Sequence, residues 1–225
     1  MPPPADLPLV ETFHSLQGEG IHAGRSAFFL RLAGCDVGCS WCDTKVSWPE
    51  SAHPRRSLGD LAAEAREAAE AGAAFVVITG GEPLQHNLTP LCVALDTATA
   101  LCPRGSLPLH LETSGVHPLS GRFDWITLSP KRHRPPRAEL LTVCHELKVV
   151  VHETADLTFA VTMAEAARSQ RAAESAAAPS VPPQPALLLQ PGWDSARGQE
   201  LAVAFVRRHP DWRLSLQTHK WLRVR

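Results

Sequence analysis

Three cysteines, Cys35, Cys39 and Cys42, fall within the stretch GCDVGCSWCDTK (34–45) in a C-x3-C-x2-C arrangement. A structural zinc site takes four ligands, usually as two separated pairs, so His14, His22 or Asp43 would have to be recruited as the fourth. A thioredoxin-like dithiol needs Cys39 and Cys42 and leaves Cys35 without a purpose. A cubane iron–sulfur cluster is bound by cysteine thiolates, normally four. With three, one iron stays open to be chelated by a substrate or cofactor, and this reading gives every thiol a task. Trp41 and the apolar flank would limit water around such a cluster and tune its potential. Cys92, Cys102 and Cys144 sit singly among apolar residues and are read as small buried hydrophobes.

Other side chains carry chemistry in their types and positions. In TGGEP (79–83) two glycines let backbone approach a ligand closely, and Glu82 offers an acceptor for an ammonium group; an ordinary Gly-Gly turn closed by proline is the plainer alternative. Arg31 interrupts the apolar run FFLRLAG, where an unpaired guanidinium is costly, so it must meet an anion: a ligand carboxylate or a structural Asp or Glu. Thr44 follows the cysteine loop directly, and its hydroxyl is a hard oxygen ligand suited to Mg²⁺. Asp43 is the second choice for the cation, or else caps the loop through backbone hydrogen bonds. Lys148 alternates with apolar neighbours in ELKVVV and is a weak candidate for facing a lumen.

These residues need elements to hold them. AFFLRLAG (27–34), FVVIT (75–79), LPLHLET (107–113), WITLSP (125–130), ELKVVV (146–151), ALLLQP (186–191) and WRLSLQTH (212–219) read as strands. Helical patterns separate them at 57–72, 88–101, 155–175 and 195–208, the first with Ser57 as N-cap and Gly72 as stop. APSVPPQP (178–185) reads as a Pro-rich linker that cannot continue a helix. Strands alternating with helices imply parallel βαβ units. About six or seven mainly parallel strands then form an open sheet or a partial barrel within a single domain spanning 1–225. No G-x-G-x-x-G follows the first strand, which weighs against a nucleotide-binding Rossmann sheet. The polar motifs CDVGCSWCDT, TGGEP, ETSG, SPK and QTHK gather at the carboxyl ends of the strands, the edge where α/β folds bind ligands.

Composition bounds the setting. The formal net charge is −1 and the pI about 6.8, which gives no electrostatic footprint for nucleic acid or an anionic membrane. MPPPADLP lacks the basic and apolar regions of a signal peptide, and no run of about 18 apolar residues is present. A reducing, cytoplasmic setting is expected, where clustered cysteines bind metal or do redox work.

The spacing C-x3-C-x2-C with TGGEP about 40 residues on resembles the radical S-adenosylmethionine (SAM) superfamily. That resemblance implies a reduced (β/α) TIM-like barrel and a 4Fe-4S cluster on Cys35, Cys39 and Cys42 as the catalytic centre. Its open iron binds SAM, and cleavage of SAM yields a 5′-deoxyadenosyl radical. It further implies cofactor contacts from Gly80, Gly81 and Glu82, and from Glu112, Thr113, Ser114, Ser129 and Lys131, with Gln190 within reach.

Five stretches, SLQGEG (15–20), RLAGC…CDTK (31–45), TGGEP, ELKVV (146–150) and QTHKWL (217–222), resemble the 7-carboxy-7-deazaguanine synthase family of queuosine and deazapurine biosynthesis, across about Glu11 to Arg225. What this implies is a lyase contracting 6-carboxy-5,6,7,8-tetrahydropterin with loss of ammonia. Also implied are Mg²⁺ at Thr44, a homodimer, and an electron donor such as flavodoxin or ferredoxin. The substrate residues expected with this resemblance are Gln17, Gly18, Glu19, Arg31, Thr79 and His219; separately, the position of Arg225 shortly after QTHK makes its terminal carboxylate a hypothetical pterin contact. Some family members carry an insertion between the first two cysteines, whereas this chain has the compact spacing. Two other readings remain at this stage: a glycyl-radical-enzyme activase, which shares the cysteine motif but not SLQGEG or QTHK, and a zinc-stabilised binding protein without catalysis.

Overall fold

The computed structural model describes residues 5–175 and 184–225; most of the Pro-rich stretch at 178–185 lies outside the described residues. One nine-stranded sheet organises the chain. Strand β1 (Asp6–Leu16) forms an antiparallel hairpin with β2 (Ser26–Leu32), and the short β3 (Arg55–Ser57) flanks β1. From β2 onward every pairing is parallel: β4 (Val76–Gly80), β5 (Leu109–Thr113), β6 (Trp125–Leu128), β7 (Glu146–Val151), β8 (Ala186–Pro191) and β9 (Trp212–Leu214). The sheet order is β3-β1-β2-β4-β5-β6-β7-β8-β9. The parallel part thus contains the expected seven strands, and the β1 and β3 additions are antiparallel.

Five longer helices cover the outer face: α1 (Leu58–Glu70), α2 (Thr89–Thr99), α3 (Ala138–Val143), α4 (Thr154–Ser175) and α5 (Ala196–Val206). Ser57 caps α1, its hydroxyl accepting from the Asp60 amide at 3.1 Å, and Gly72 takes a positive φ of 107° just beyond the end. Ser195 caps α5 in the same way through Gly198.

The strand period of two sorts residues between two environments. Phe28, Leu30 and Leu32 of β2, Val76 and Ile78 of β4, and Leu147, Val149 and Val151 of β7 join the main core against the helices. The alternate positions of β2 and β4 hold Ala27, Phe29 and Val77, which form a second small cluster with Phe75. Continuing along that inner face, β2, β4, β5, β6 and β8 reach a polar residue toward their carboxyl ends, Arg31, Thr79, Glu112, Thr127 and Gln190, and β7 carries Lys148 at mid-strand. Arg31 pairs in register with Thr79, and Glu112 with Thr127. An apolar inner floor thus gives way to a polar layer at the edge where a barrel binds ligands.

Two expectations about elements change. β1 carries polar residues on both faces, LVETFHSL, and lacks the continuous apolar character that marked the others. It forms because β2 supplies backbone partners along seven registered pairs. The last strand is also shorter than the stretch 212–219. It stops at Leu214, the Thr218 amide and hydroxyl both donate to the Gly18 carbonyl, and the chain turns into a short helix α6 (Thr218–Leu222). His219 and Lys220 therefore stand on a helix, not on a strand. Among the described residues no helix is long and apolar enough to cross a membrane.

Candidate active site

The strand ends enclose a cavity of about 420 Å³, and every candidate site residue lines it. Its walls divide by element. The loop after β2 brings Cys35, Cys39, Cys42 and Thr44 to one side, and β4 to β6 bring the glycines, Glu82, Thr113, Ser114, Ser129 and Lys131 beside them. The cavity is also lined by Gln17, Gly18 and Glu19 from the β1–β2 connection, Arg31 and Thr79 from their strands, and His219 and Arg225 from the last residues.

All three loop cysteines are free thiols. Burial pushes the Cys35 and Cys39 thiols above their ordinary value; for Cys39 the Lys131 charge works in the opposite direction. Among the described residues no three His, Cys, Asp or Glu side chains gather as ligands of a single metal ion. A cubane makes a different demand, one thiolate at each of three irons. The donors fit that demand: three free thiols on one loop at one cavity wall, with Lys131 close by to favour anionic sulfur. Lys131 Nζ donates to Ser129 Oγ at 2.8 Å and lies 5.1 Å from the centre of the Trp41 ring.

TGGEP is pressed against the cysteine loop. Gly81 donates to the Leu32 carbonyl at 3.0 Å and Glu82 to the Gly34 carbonyl at 2.8 Å. A Cβ at Gly81 would run into the Gly34 carbonyl and come within 2.9 Å of Cys35 Cβ, so only glycine permits this approach. The Glu82 carboxylate is not the open acceptor expected from sequence. It is buried, and its oxygens accept from Leu84 N (3.1 Å), Thr113 Oγ1 (2.5 Å), Ser114 N (2.8 Å) and Ser114 Oγ (2.5 Å). Four protein donors fill its acceptor sites. Glu82 ties β4 to the β5 end, and Thr113 and Ser114 are spent on that tie.

Glu112 joins a hydrogen-bond network with the β1–β2 connection and β4. It accepts from Gln17 Nε2 at 3.0 Å and from Thr79 Oγ1 at 2.9 Å. Its neighbour Lys148 is 5% exposed and ion-paired to Glu19. Burial alone would raise the Glu19 carboxyl, but the Lys148 charge, with hydrogen bonds from Lys148, Gln217 and Gln190, holds it below the usual carboxylate range. Burial would lower Lys148, and Glu19, Glu112 and Glu146 together push it upward. Both groups of the pair are thus charged at neutral pH. Gln190 also accepts from Ser215 Oγ at 2.8 Å and so sits in this network.

Arg31 finds the structural partner: its Nε donates to Glu11 Oε1 at 3.1 Å, from the strand the sequence did not disclose. Arg225 Nη1 meets the other oxygen of Glu11 at 2.9 Å. Two guanidinium groups share one carboxylate and leave net positive charge at the cavity wall. His219 packs against Gly18, where any side chain would occupy the imidazole's space, and burial lowers its pKa. Asp43 does not cap its loop through backbone bonds. It is ion-paired to Lys220 and accepts from Thr44 Oγ1 at 3.0 Å. That bond uses the single hydroxyl proton of Thr44 and leaves its lone pairs for a cation.

Sequence reasoning passed over Gln217, His152 and Trp193, which also line the cavity. Gln217 lies in the quoted QTHK, and His152 directly follows ELKVVV, so the strand-end rule that located the others reaches it. Trp193 offers no such signal, since it lies beyond the Pro-Gly turn that ends β8.

A partial barrel with three cysteines on the loop after its first parallel strand, braced by a Gly-Gly-Glu turn, is the architecture of a radical SAM enzyme. Residues 30–129 match the radical SAM superfamily model. The chain belongs to the 7-carboxy-7-deazaguanine synthase family. It is 52% identical over 220 residues to the 7-carboxy-7-deazaguanine synthase of Prochlorococcus marinus, covering 97% of this chain and 98% of that protein. It is 34% identical to the Escherichia coli enzyme of the same name, covering 96% and 98%. The crystal structure of QueE from Escherichia coli superposes with a TM-score of 0.69 at 29% identity, covering 94% of this chain and 93% of that one. These relatives leave no place for the activase and zinc-protein readings.

Proposed function

We propose that this protein contracts 6-carboxy-5,6,7,8-tetrahydropterin to 7-carboxy-7-deazaguanine with loss of ammonia. One observation carries the reading: a single cavity is lined both by three free thiols and by a polar array of Gln17, Glu19, Thr79, Glu112 and His219. Cys35, Cys39 and Cys42 would hold the 4Fe-4S cluster. Gly80 and Gly81 would bring backbone against SAM, with Ser129 and Lys131 flanking it; the cluster and SAM, when bound, would supply the radical chemistry. Thr44 would hold Mg²⁺, which keeps most of its waters and needs few protein ligands.

Recognition of the pterin falls to this chain's own side chains. A pterin edge is rich in N–H donors and carbonyl acceptors. Glu19 and Glu112 accept, Gln17 both donates and accepts, and Lys148 keeps Glu19 ionised. The Arg31–Glu11–Arg225 group supplies the positive charge that a substrate carboxylate requires. Trp41, which lines the cavity, rests against His152 with ring centres 5.3 Å apart. A flavodoxin or ferredoxin as electron donor, and a homodimeric assembly of single-domain chains, complete the proposal on the family resemblance alone.

The test is turnover of the anaerobically reconstituted, reduced protein with SAM, Mg²⁺ and the carboxy-tetrahydropterin. Formation of the deazaguanine with ammonia supports the reading. Formation of 5′-deoxyadenosine without a deazaguanine product would refute the substrate. Thr44→Ala should leave the cluster's absorbance near 400 nm intact and weaken the dependence of rate on Mg²⁺; an unaltered Mg²⁺ titration removes Thr44 from the cation site.

A further inference from the structure

Behind the polar wall of the active site lies a second, much smaller chamber of about 10 Å³, and Gln17, Glu19, Glu112 and Lys148 line both spaces. Such a volume has room for one water molecule. Among the described residues, four buried side-chain polar atoms lack a hydrogen-bond partner: His22 Nε2, Trp125 Nε1, Glu146 Oε1 and His152 Nε2. Three of the four belong to residues lining this chamber. Glu146 is 1% exposed. Leaving such groups unsatisfied carries a desolvation penalty, and three such residues bordering one small space point to something that satisfies them together.

The chemistry of the three atoms identifies what fits. An indole N–H donates only. The Arg25 guanidinium, which also donates only, lies 2.8 Å from His22 Nδ1. Nδ1 must then accept, so the proton of this neutral ring is on Nε2 and that atom is a second donor. Glu146 Oε1 is an acceptor. Two N–H donors repel a cation, and the carboxyl group disfavours an anion. A neutral molecule with two lone pairs and a hydrogen to donate matches the set. We propose that the chamber is a binding site for one ordered water, accepting from Trp125 Nε1–H and His22 Nε2–H and donating to Glu146 Oε1.

The water makes Glu146 a positioning residue for the pterin-binding loop. Glu146 Oε2 accepts from the Ile21 amide at 3.0 Å. Gly20, at φ 69°, lies so close to the same carboxyl group that any Cβ would collide with it. The SLQGEG loop is therefore seated on Glu146, while its Gln17 and Glu19 face the active site. Anchoring Oε1 fixes the carboxyl plane, and with it the loop.

This inference rests on the proposed substrate only for its kinetic test. In crystals of the wild-type protein, the chamber should show a single spherical density peak within hydrogen-bonding distance of Trp125 Nε1, His22 Nε2 and Glu146 Oε1. A dry chamber would overturn the site. An anomalous peak there after a bromide soak would make it an anion site and would equally overturn the proposal. Trp125→Phe removes the indole donor and keeps an aromatic ring; the peak should be lost. The KM for the carboxy-tetrahydropterin should rise about three- to tenfold, the equivalent of one net hydrogen bond, at unchanged kcat and unchanged pterin-independent SAM cleavage. Loss of the peak with an unchanged KM would refute the positioning role. Should the Phe variant fold poorly, as shown by its melting temperature, His22→Gln, which retains an N–H donor, should keep the peak and His22→Leu should lose it; the reverse pattern would overturn the assignment. If the pterin is not turned over at all, the proposed function fails while the crystallographic result still decides the water site.

Discussion

Glu82 accepts four hydrogen bonds on two carboxylate oxygens, all in a buried setting. Replacing it by Gln turns one acceptor oxygen into an NH₂ that faces donors, so Ser114 or Thr113 loses its partner. Each buried donor left unpaired costs about 1–3 kcal/mol, and Glu82→Gln should lower unfolding stability by about that amount in a denaturant titration. A change below measurement error would mean that the turn can re-form its bonds elsewhere. The cysteines have a separate signature. Cys35→Ala, Cys39→Ala and Cys42→Ala should each fold, lose the absorbance near 400 nm after reconstitution, and cleave no SAM; cluster-dependent cleavage surviving in all three would overturn the thiolate assignment. The residues around them differ in how plainly the sequence declares their work. Every residue proposed for the site lines the cavity, because strand ends with Cys, Gly, Glu, Thr and Lys are visible as local motifs. What was not visible was how those residues pair. Glu82 binds protein donors, Arg31 meets Glu11, and Asp43 meets Lys220, a partner 177 positions away. Local motifs name the side chains at an edge, and only long-range geometry says which of them saturate one another.

At the scale of elements, β5 and β6 place a histidine and aromatic stack beneath the polar wall. His110 stacks on Phe75 with ring centres 4.1 Å apart, and His22 and His145 lie on either side of Trp125. Burial, reinforced by the charges of His22, Arg25 and His145, lowers the His110 pKa from 6.5 to about 3. Its folded pKa lies below the unfolded value, so the unfolded chain takes up the proton first as pH falls. The stability contributed by neutral His110 is whole above pH 6.5 and is lost progressively toward pH 3. His110→Phe keeps the stack and removes the titration. Its unfolding free energy should fall less steeply than wild type between these pH values, with some slope remaining from His22 and His145, which burial shifts in the same direction. Parallel slopes for the two proteins would show that His110 is already protonated in the fold. The elements legible in sequence were those whose burial leaves a pattern: β7 and β8 keep the expected bounds because both strands are largely buried and carry apolar residues at the core-facing positions. β1 escaped because it is an addition to the sheet with polar residues on each face, and α6 escaped because its five residues are held by bonds to Gly18, far away in the chain.

For the molecule as a whole, the cavity is assembled from two sets of elements that differ in what holds them. The thiol wall stands on β2, β4, β5 and β6, whose outer faces lie in the main core. The β1–β2 connection and α6 also border the cavity, and α6 contributes no residue to that core and leaves Trp221 and Leu222 exposed. A chain ended after Gln217 should therefore keep its fold, since no buried apolar contact is removed. It loses His219, the Lys220 partner of Asp43 and the Arg225 share of the Glu11 carboxylate. The proposed division of labour then predicts a separation of activities. The truncated protein should still assemble its cluster and release 5′-deoxyadenosine slowly from SAM without pterin, yet make no deazaguanine at substrate concentrations that saturate the full chain. Measuring the two products side by side decides the matter. Loss of both, in a protein with an unchanged melting temperature and cluster spectrum, would show that α6 also serves the SAM side of the cavity. Retention of both would remove His219 from substrate recognition and leave the pterin to the β1–β2 connection and the residues of β2, β4 and β5.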